Sequence, residues 1–330
     1  MVTRRVKIAV SGAAGQISYA LLPRLCAGTV FGPECEIELQ LLELESALPA
    51  LEALCMELED CHFPLLRKVT VTADVLTAMQ DVDYALLIGA VPRKQGMERA
   101  DLLKINGGIF GPQGKALNQV AKPQVKVLVV GNPCNTNCLI TMHAAPDIPR
   151  EQFFAMTALD EHRARQKLAN KAGVVATAVT RLAIWGNHST TQYPDFYNAR
   201  IFDQPVIEVI PELEWLQHEF IASVQQRGAA VIQARGSSSA ASAAHAVLES
   251  VRHLAMDTPE KEVFSIARCS RGEYGIDPGL IFSFPCRTKN KQLEVAADFQ
   301  HNTFARAKLE LTLDELRHEY NAVKTLGLLD

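Results

Sequence analysis

Val6-Lys7-Ile8-Ala9-Val10-Ser11-Gly12-Ala13-Ala14-Gly15-Gln16-Ile17-Ser18 passes from an apolar run through a glycine turn into the helical pattern Tyr19-Ala20-Leu21-Leu22-Pro23-Arg24-Leu25. A buried strand, a glycine turn and a helix start make the phosphate-binding unit of dinucleotide folds. Glycine lets the backbone approach a pyrophosphate, and the amides of the first helical turn face it. The spacing here is G-x-x-G-x-x-S in place of G-x-G-x-x-G, and a glycine pattern alone also fits any tight strand-to-helix turn.

A second apolar run, Ile37-Glu38-Leu39-Gln40-Leu41-Leu42, ends at Glu43, with Glu45 close behind. An acid at the end of the second strand holds both ribose hydroxyls of an adenosine and repels a 2′-phosphate, which favours NAD over NADP; a solvated strand end is the plainer alternative. The separation from the glycines exceeds the usual ~20 residues, and the extra length falls in the loop Gly28–Glu36. Val69–Thr72, Tyr84–Gly89 and Val125–Val130 read as further strands, alternating with helical periodicity over Ala47–Leu58 and Asp101–Lys122. That alternation predicts a doubly wound, mostly parallel α/β sheet, whose ligands bind at the carboxyl ends of strands. Gly12, Glu43, Gly89 and Asn132 each follow a strand, so one crevice can collect them.

A chain of 330 residues is long for one core. The pattern predicts a dinucleotide-binding domain over 1–157 and a second, α+β substrate domain over 158–330. Apolar residues make up 48% and charged residues 21%, with a net charge of -4. That balance gives no reason to expect nucleic acid or an anionic membrane as a partner. Met1–Arg5 is too short for a signal peptide, and no stretch approaches a transmembrane length. The eight cysteines form no C-x-x-C pair, so reduced, buried thiols in a cytoplasmic protein are expected, with no metal site.

In the second half, Arg181-Leu182-Ala183-Ile184-Trp185 stops at Gly186 and gives way to Asn187-His188-Ser189-Thr190-Thr191. A strand ending in a polar knot puts a histidine, the side chain that most readily exchanges a proton near neutral pH, at a rim. A helix opens at Thr157 and ends near Gly173, with Asp160 and Arg163 three residues apart on neighbouring positions. They read either as a dipole-stabilising acid beside a surface ion pair or as a carboxylate that orients a histidine and a guanidinium that clamps a substrate carboxylate. His162 is the competitor for the acid/base role. After Gly89 a loop carries Arg93 and Arg99, suited to an anionic substrate or simply solvated, and its proline and glycine also suit a lid. Farther on, the pattern predicts one long helix from Pro211 to Arg235, another from Gly236, and antiparallel strands at Val263–Ala267 and Leu280–Pro285. It ends in a C-terminal helix, Asn302–Val323, broken near Thr312.

Taken together, Gly12-Ala13-Ala14-Gly15-Gln16-Ile17, Met56-Glu57-Leu58-Glu59-Asp60-Cys61, Pro92-Arg93, Gly96-Met97-Glu98-Arg99, Gly131-Asn132-Pro133, Leu159-Asp160 with Arg163, and Trp185-Gly186-Asn187-His188-Ser189 resemble the lactate/malate dehydrogenase family, in its cytosolic-type malate branch. The resemblance covers almost the whole chain. It implies an NAD-dependent homodimer that interconverts malate and oxaloacetate. In that reading His188 is the acid/base and Asp160 its partner. Arg163 binds the carboxylate beside the reacting carbon, Arg93 the distal one, and Arg99 polarises the carbonyl. Asn132 touches substrate and cofactor. The resemblance places Gly12, Ala13, Ala14, Gly15, Gln16, Ile17, Ser18, Glu43, Asn106, Gln113, Val130, Gly131 and Asn132 along the NAD site. A lactate or other 2-hydroxy acid dehydrogenase, or a dinucleotide-binding scaffold without catalysis, are the alternatives. Two positions depart from the family: Ser18 replaces a third glycine, and Glu161-His162 replaces His-Asn or Gln-Asn.

Overall fold

A computed structural model of the chain describes residues 4–91 and 99–329, apart from the side chain of Arg99. The chain divides into two compact units, Met1–Ala155 with Glu319–Asp330, and Met156–His318. Arg93 lies outside the described residues.

The first unit alternates strands and helices: β1 (Arg4–Ser11), α1 (Gln16–Cys26), β2 (Cys35–Leu42), α2 (Leu48–Asp60), β3 (Leu66–Thr72), α3 (Val75–Met79), β4 (Tyr84–Leu87), α4 (Arg99–Val120), β5 (Lys126–Val129), α5 (Cys134–His143) and β6 (Phe153–Ala155). The strands run parallel in the order β6-β5-β4-β1-β2-β3. β4 is buried throughout and β1, β2 and β5 over most of their length, as parallel strands covered on both faces must be, and this explains why apolar residues dominate them. The order reverses between β1 and β4, so the turns after these two strands flank the switch point where open α/β sheets bind ligands. There Gly12 and Gly89 lie back to back. A Cβ on Gly12 would stand 2.6 Å from the Gly89 Cα, and Gly12 has φ +67. The chain's last residues belong to this unit. Buried Glu319 accepts a hydrogen bond from Thr136 of α5, and Leu328 packs over Gly107 of α4.

The second unit holds α6 (Ala158–Ala172), β7 (Val179–Thr180), β8 (Ile184–Trp185), β9 (Tyr193–Pro194), β10 (Arg200–Ile201), β11 (Gln204–Pro205), α7 (Val206–Val209), α8 (Ile221–Gln225), α9 (Arg227–Arg235), α10 (Ala241–Ala255), β12 (Phe264–Cys269), β13 (Ile281–Lys289), β14 (Gln292–Val295) and most of α11 (Thr303–Thr325). The strands β12, β13 and β14 are antiparallel, and β8 pairs with β9. The α/β class, with a parallel dinucleotide-type sheet and a second unit mixing helices and antiparallel strands, is as expected.

Three element assignments differ from the sequence pattern. The stretch after Pro211 is not one helix. It is a π-helical segment, Trp215–Phe220, then α8 and α9, interrupted at Gln226. The poor helix propensity of Gly228 lies just past the break. The helix expected from Gly236 starts only at Ala241: Gly236, at φ +74, caps the end of α9, and the Ser239 hydroxyl is taken up by the Arg163 guanidinium. The C-terminal helix is not broken at Thr312, whose hydroxyl points at the chain near residue 187 instead of unsettling its own helix. None of the eight cysteines is in a disulfide, and six are buried, whereas Cys61 is exposed. Among the described residues no helix is long and apolar enough to cross a membrane, and no group of three or more His, Cys, Asp or Glu could hold a metal.

Candidate active site

In the first unit the turn after β1 is built from main chain. The amide of Ala13 donates to the Leu42 carbonyl at 3.2 Å, that of Gly15 to the Gly12 carbonyl at 3.1 Å, and that of Gly89 to the Ser11 carbonyl at 3.1 Å. Ser18 is wholly buried and its hydroxyl donates to the Gly12 carbonyl at 2.9 Å, so the residue that replaces glycine ties α1 to the turn. Gly15 is the N-cap of α1 with no side chain capping the helix, and Gly15 and Gln16 are exposed. A helix end of this kind is electropositive and suits an anion. Glu43, one residue beyond β2, accepts from the Ala14 amide at 3.1 Å and the Leu44 amide at 2.9 Å, which places its carboxylate against the same turn.

At the end of β5, Val130 and Gly131 are buried and Asn132 is exposed. A Cβ on Gly131 would meet the Ala90 Cβ at 2.7 Å, so this turn also packs closely on the one after β4. Asn106 is wholly buried. Its side chain is spent inside the unit, accepting from the Val91 amide at 3.0 Å and donating to the carbonyls of Val91 at 3.3 Å and Asn132 at 3.4 Å. It braces two strand-end turns. Gln113 is buried with an Oε1 that has no hydrogen-bond partner among the described residues. An uncapped helix end, a close glycine cradle, a strand-end carboxylate and an orphaned acceptor fit a dinucleotide.

In the second unit Asp160 and Arg163 are brought to His188, 28 residues on. The Asp160 carboxylate is fully buried, with His188 Nδ1 on Oδ2 and the Arg163 guanidinium on Oδ1 at 3.2 Å, and the Gln192 side chain also bonds it. Burial pulls His188 down, but the Asp160 charge and hydrogen bond outweigh it and hold the imidazole above its ordinary pKa; the same pairing holds the Asp160 carboxyl below its own. With Nδ1 committed to the carboxylate, Nε2 is the nitrogen left to exchange a proton. The His188 and Arg163 side chains retain 16% and 14% exposure, so both reach the surface from a buried base. His162 instead packs on His245, with ring centroids 5.4 Å apart, and Glu161 accepts from the Ser265 amide at 2.6 Å and pairs with Arg165.

Sequence reasoning missed the partners that fix this group. Ser239 accepts from Arg163 at 3.1 Å, and Ser283 bonds the Ile184 carbonyl at 2.7 Å and the Thr157 hydroxyl at 2.7 Å. The Gly236–Ser239 run was the one available signal, since serines clustered before a helix seek partners.

The chain matches the family model for the lactate/malate dehydrogenase NAD-binding domain over residues 6–154 and that for the lactate/malate dehydrogenase alpha/beta C-terminal domain over residues 157–326. Among solved structures it is similar to malate dehydrogenase from Naegleria fowleri, at 43% identity over 99% of this chain and 100% of that one, with a TM-score of 0.95. It is also similar to Trichomonas vaginalis lactate dehydrogenase in complex with NADH and oxamate, at 36% identity over 98% and 99% of the two chains, TM-score 0.93. An apo form of that enzyme with a leucine-to-arginine substitution matches at 36% identity over 99% and 100%, TM-score 0.94. With the NAD-binding domain in place and both halves matched, the chain belongs to the lactate/malate dehydrogenase family and is an NAD-dependent dehydrogenase of the lactate/malate type.

Proposed function

We propose that the protein is a malate dehydrogenase, interconverting (S)-malate and oxaloacetate. The observation that carries the chemistry is the buried Asp160 carboxylate holding His188 on one oxygen and Arg163 on the other. In the oxidative direction His188 Nε2 takes the proton of the malate hydroxyl while the C2–H bond breaks and the C2=O bond forms. NAD, when bound, supplies the acceptor for the hydride that leaves C2. Asp160 stays ionised and stabilises the imidazolium that results. Arg163 pairs with the carboxylate on C2, Arg99 polarises the carbonyl in the reductive direction, and Arg93 pairs with the distal carboxylate. The glycine turn from Gly12 to Ser18 receives the pyrophosphate, Glu43 the adenosine ribose, and Asn132 touches both substrate and cofactor.

Support for malate comes from Arg93 in the sequence, since a dicarboxylate supplies that cation with a second carboxylate and a monocarboxylate does not. The 43% identity to a malate dehydrogenase agrees. The second reading, a lactate dehydrogenase, is favoured by the full-length match to the Trichomonas enzyme. Initial rates of NADH oxidation separate the two. Oxaloacetate should exceed pyruvate in kcat/KM by on the order of 10³, and NADPH should replace NADH poorly because Glu43 repels a 2′-phosphate. A preference for pyruvate overturns the role of Arg93, and a preference for NADPH that of Glu43.

A further inference from the structure

The turn that carries His188 is gripped from two sides. On one side Gly186 exchanges backbone hydrogen bonds with Ser283 of β13, donating at 3.1 Å and accepting at 2.9 Å. The Ser283 hydroxyl also meets Thr157, the residue that precedes α6 and its Asp160, so one serine joins the base's turn to the helix of its partner. On the other side stands α11. Thr312 Oγ1 accepts from the Asn187 amide at 2.9 Å. Glu315, one turn on, collects three donors on a single oxygen: Asn187 Nδ2 at 2.9 Å, Thr191 Oγ1 at 2.6 Å, and the Ser189 hydroxyl. The helix lies directly against the turn's main chain. Gly186 has φ +93, and a Cβ there would fall 2.2 Å from Thr312 Oγ1.

Residues 187, 189 and 191 therefore all point at Thr312 or Glu315, while the residue between the first two, His188, turns its ring to Asp160. An ionised carboxylate oxygen can accept several donors at once, which a hydroxyl cannot match. Removing it takes away the acceptor that Asn187 Nδ2, Ser189 and Thr191 share, and with it a tie between the His188 turn and α11.

We propose that Glu315, with Thr312, is a positioning residue for proton transfer: it holds the 187–191 turn so that His188 keeps its bond to Asp160 and its Nε2 aimed at the substrate hydroxyl. This rests on His188 being the acid/base. Misplacing a reacting group by about 1 Å costs on the order of 10² in rate. Glu315→Ala should accordingly lower kcat by about 10- to 100-fold, with NADH affinity unchanged within about twofold. Glu315→Gln, which keeps an acceptor oxygen, should recover most of the loss.

The test combines these rates with two readouts that loss of folded protein would not move. With NADH deuterated at C4 of the nicotinamide, the isotope effect on kcat should rise in Glu315→Ala, because a misplaced acid slows the chemical step itself. In the cofactor-free protein, the downfield proton resonance of the His188–Asp160 hydrogen bond should be sharp in wild type and in Glu315→Gln and broadened in Glu315→Ala. If Glu315→Ala does not fold, Thr312→Val carries the test, since valine keeps the shape and loses the acceptor. Wild-type kcat in these variants overturns the proposal. So does a lowered kcat with unchanged isotope effect and unchanged resonance, which would reduce Glu315 to ordinary structural support. If instead His188→Asn turns over normally, the acid/base assignment fails, and that outcome is read on a different variant.

Discussion

The glycine turn after β1 and the histidine turn after β8 both leave a strand at a glycine of positive φ, Gly12 at +67 and Gly186 at +93. They are nonetheless assembled differently. Around Gly12 the crowding comes from backbone: a Cβ would strike the Gly89 Cα, and only two side chains trim the described turn, Ser18 six residues on and Glu43 at the Ala14 amide. Around Gly186 the crowding comes from a side chain, Thr312, and the turn's hydrogen bonds reach 125 and 128 residues along the chain to α11. A phosphate site asks for exposed amides and close approach, which main chain and glycine supply alone. A proton site asks for one imidazole held at a fixed pKa and angle, which needs buried charge and converging side chains.

The two turns therefore fail in different ways. Gly12→Ala should weaken NADH binding by on the order of 10²-fold, through positive φ and collision with Gly89, and leave kcat at saturating NADH much closer to wild type. Titration of NADH fluorescence beside initial rates measures both. A fall in kcat at unchanged affinity would break the comparison. A smaller effect belongs to Ser18→Ala. Losing one hydroxyl bond to the Gly12 carbonyl costs about 1 kcal/mol at most sites, so NADH affinity should fall roughly fivefold with kcat unmoved. An unchanged affinity would make Ser18 a packing residue only.

The same contrast explains how much could be read from the chain. The glycine turn, Glu43 and the alternation around them are local patterns, and the parallel sheet follows from them. His188, Asp160 and Arg163 were legible as residue types, but the pairing of His188 with Asp160 came from the family resemblance alone, because nothing in the spacing of 28 residues shows it. Glu315 had no signal at all. On α11 it stands among Glu310, Asp314 and Glu319, and only the fold separates the acid that accepts the His188 turn from its exposed neighbour Asp314. Thr312 misled in the opposite direction, read as a weak point of the helix when its hydroxyl serves another segment. Asn106 is another case of context. The resemblance places it along the cofactor, while its amide is taken up by Val91 and the Asn132 carbonyl.

The central claim is that the proton leaves and returns through His188, and its pH signature tests it most directly. Burial lowers the His188 pKa and the Asp160 carboxylate more than restores it, so the midpoint lies above the ordinary histidine value. Malate oxidation needs the neutral ring, so its kcat/KM should rise as pH climbs through that midpoint. Oxaloacetate reduction needs the protonated ring, so its kcat/KM should fall through the same one. Both profiles should lose the midpoint in His188→Asn, with rates at least about 10³-fold lower and NADH still bound. A His188→Asn enzyme that keeps the midpoint at near-normal rates would contradict the account.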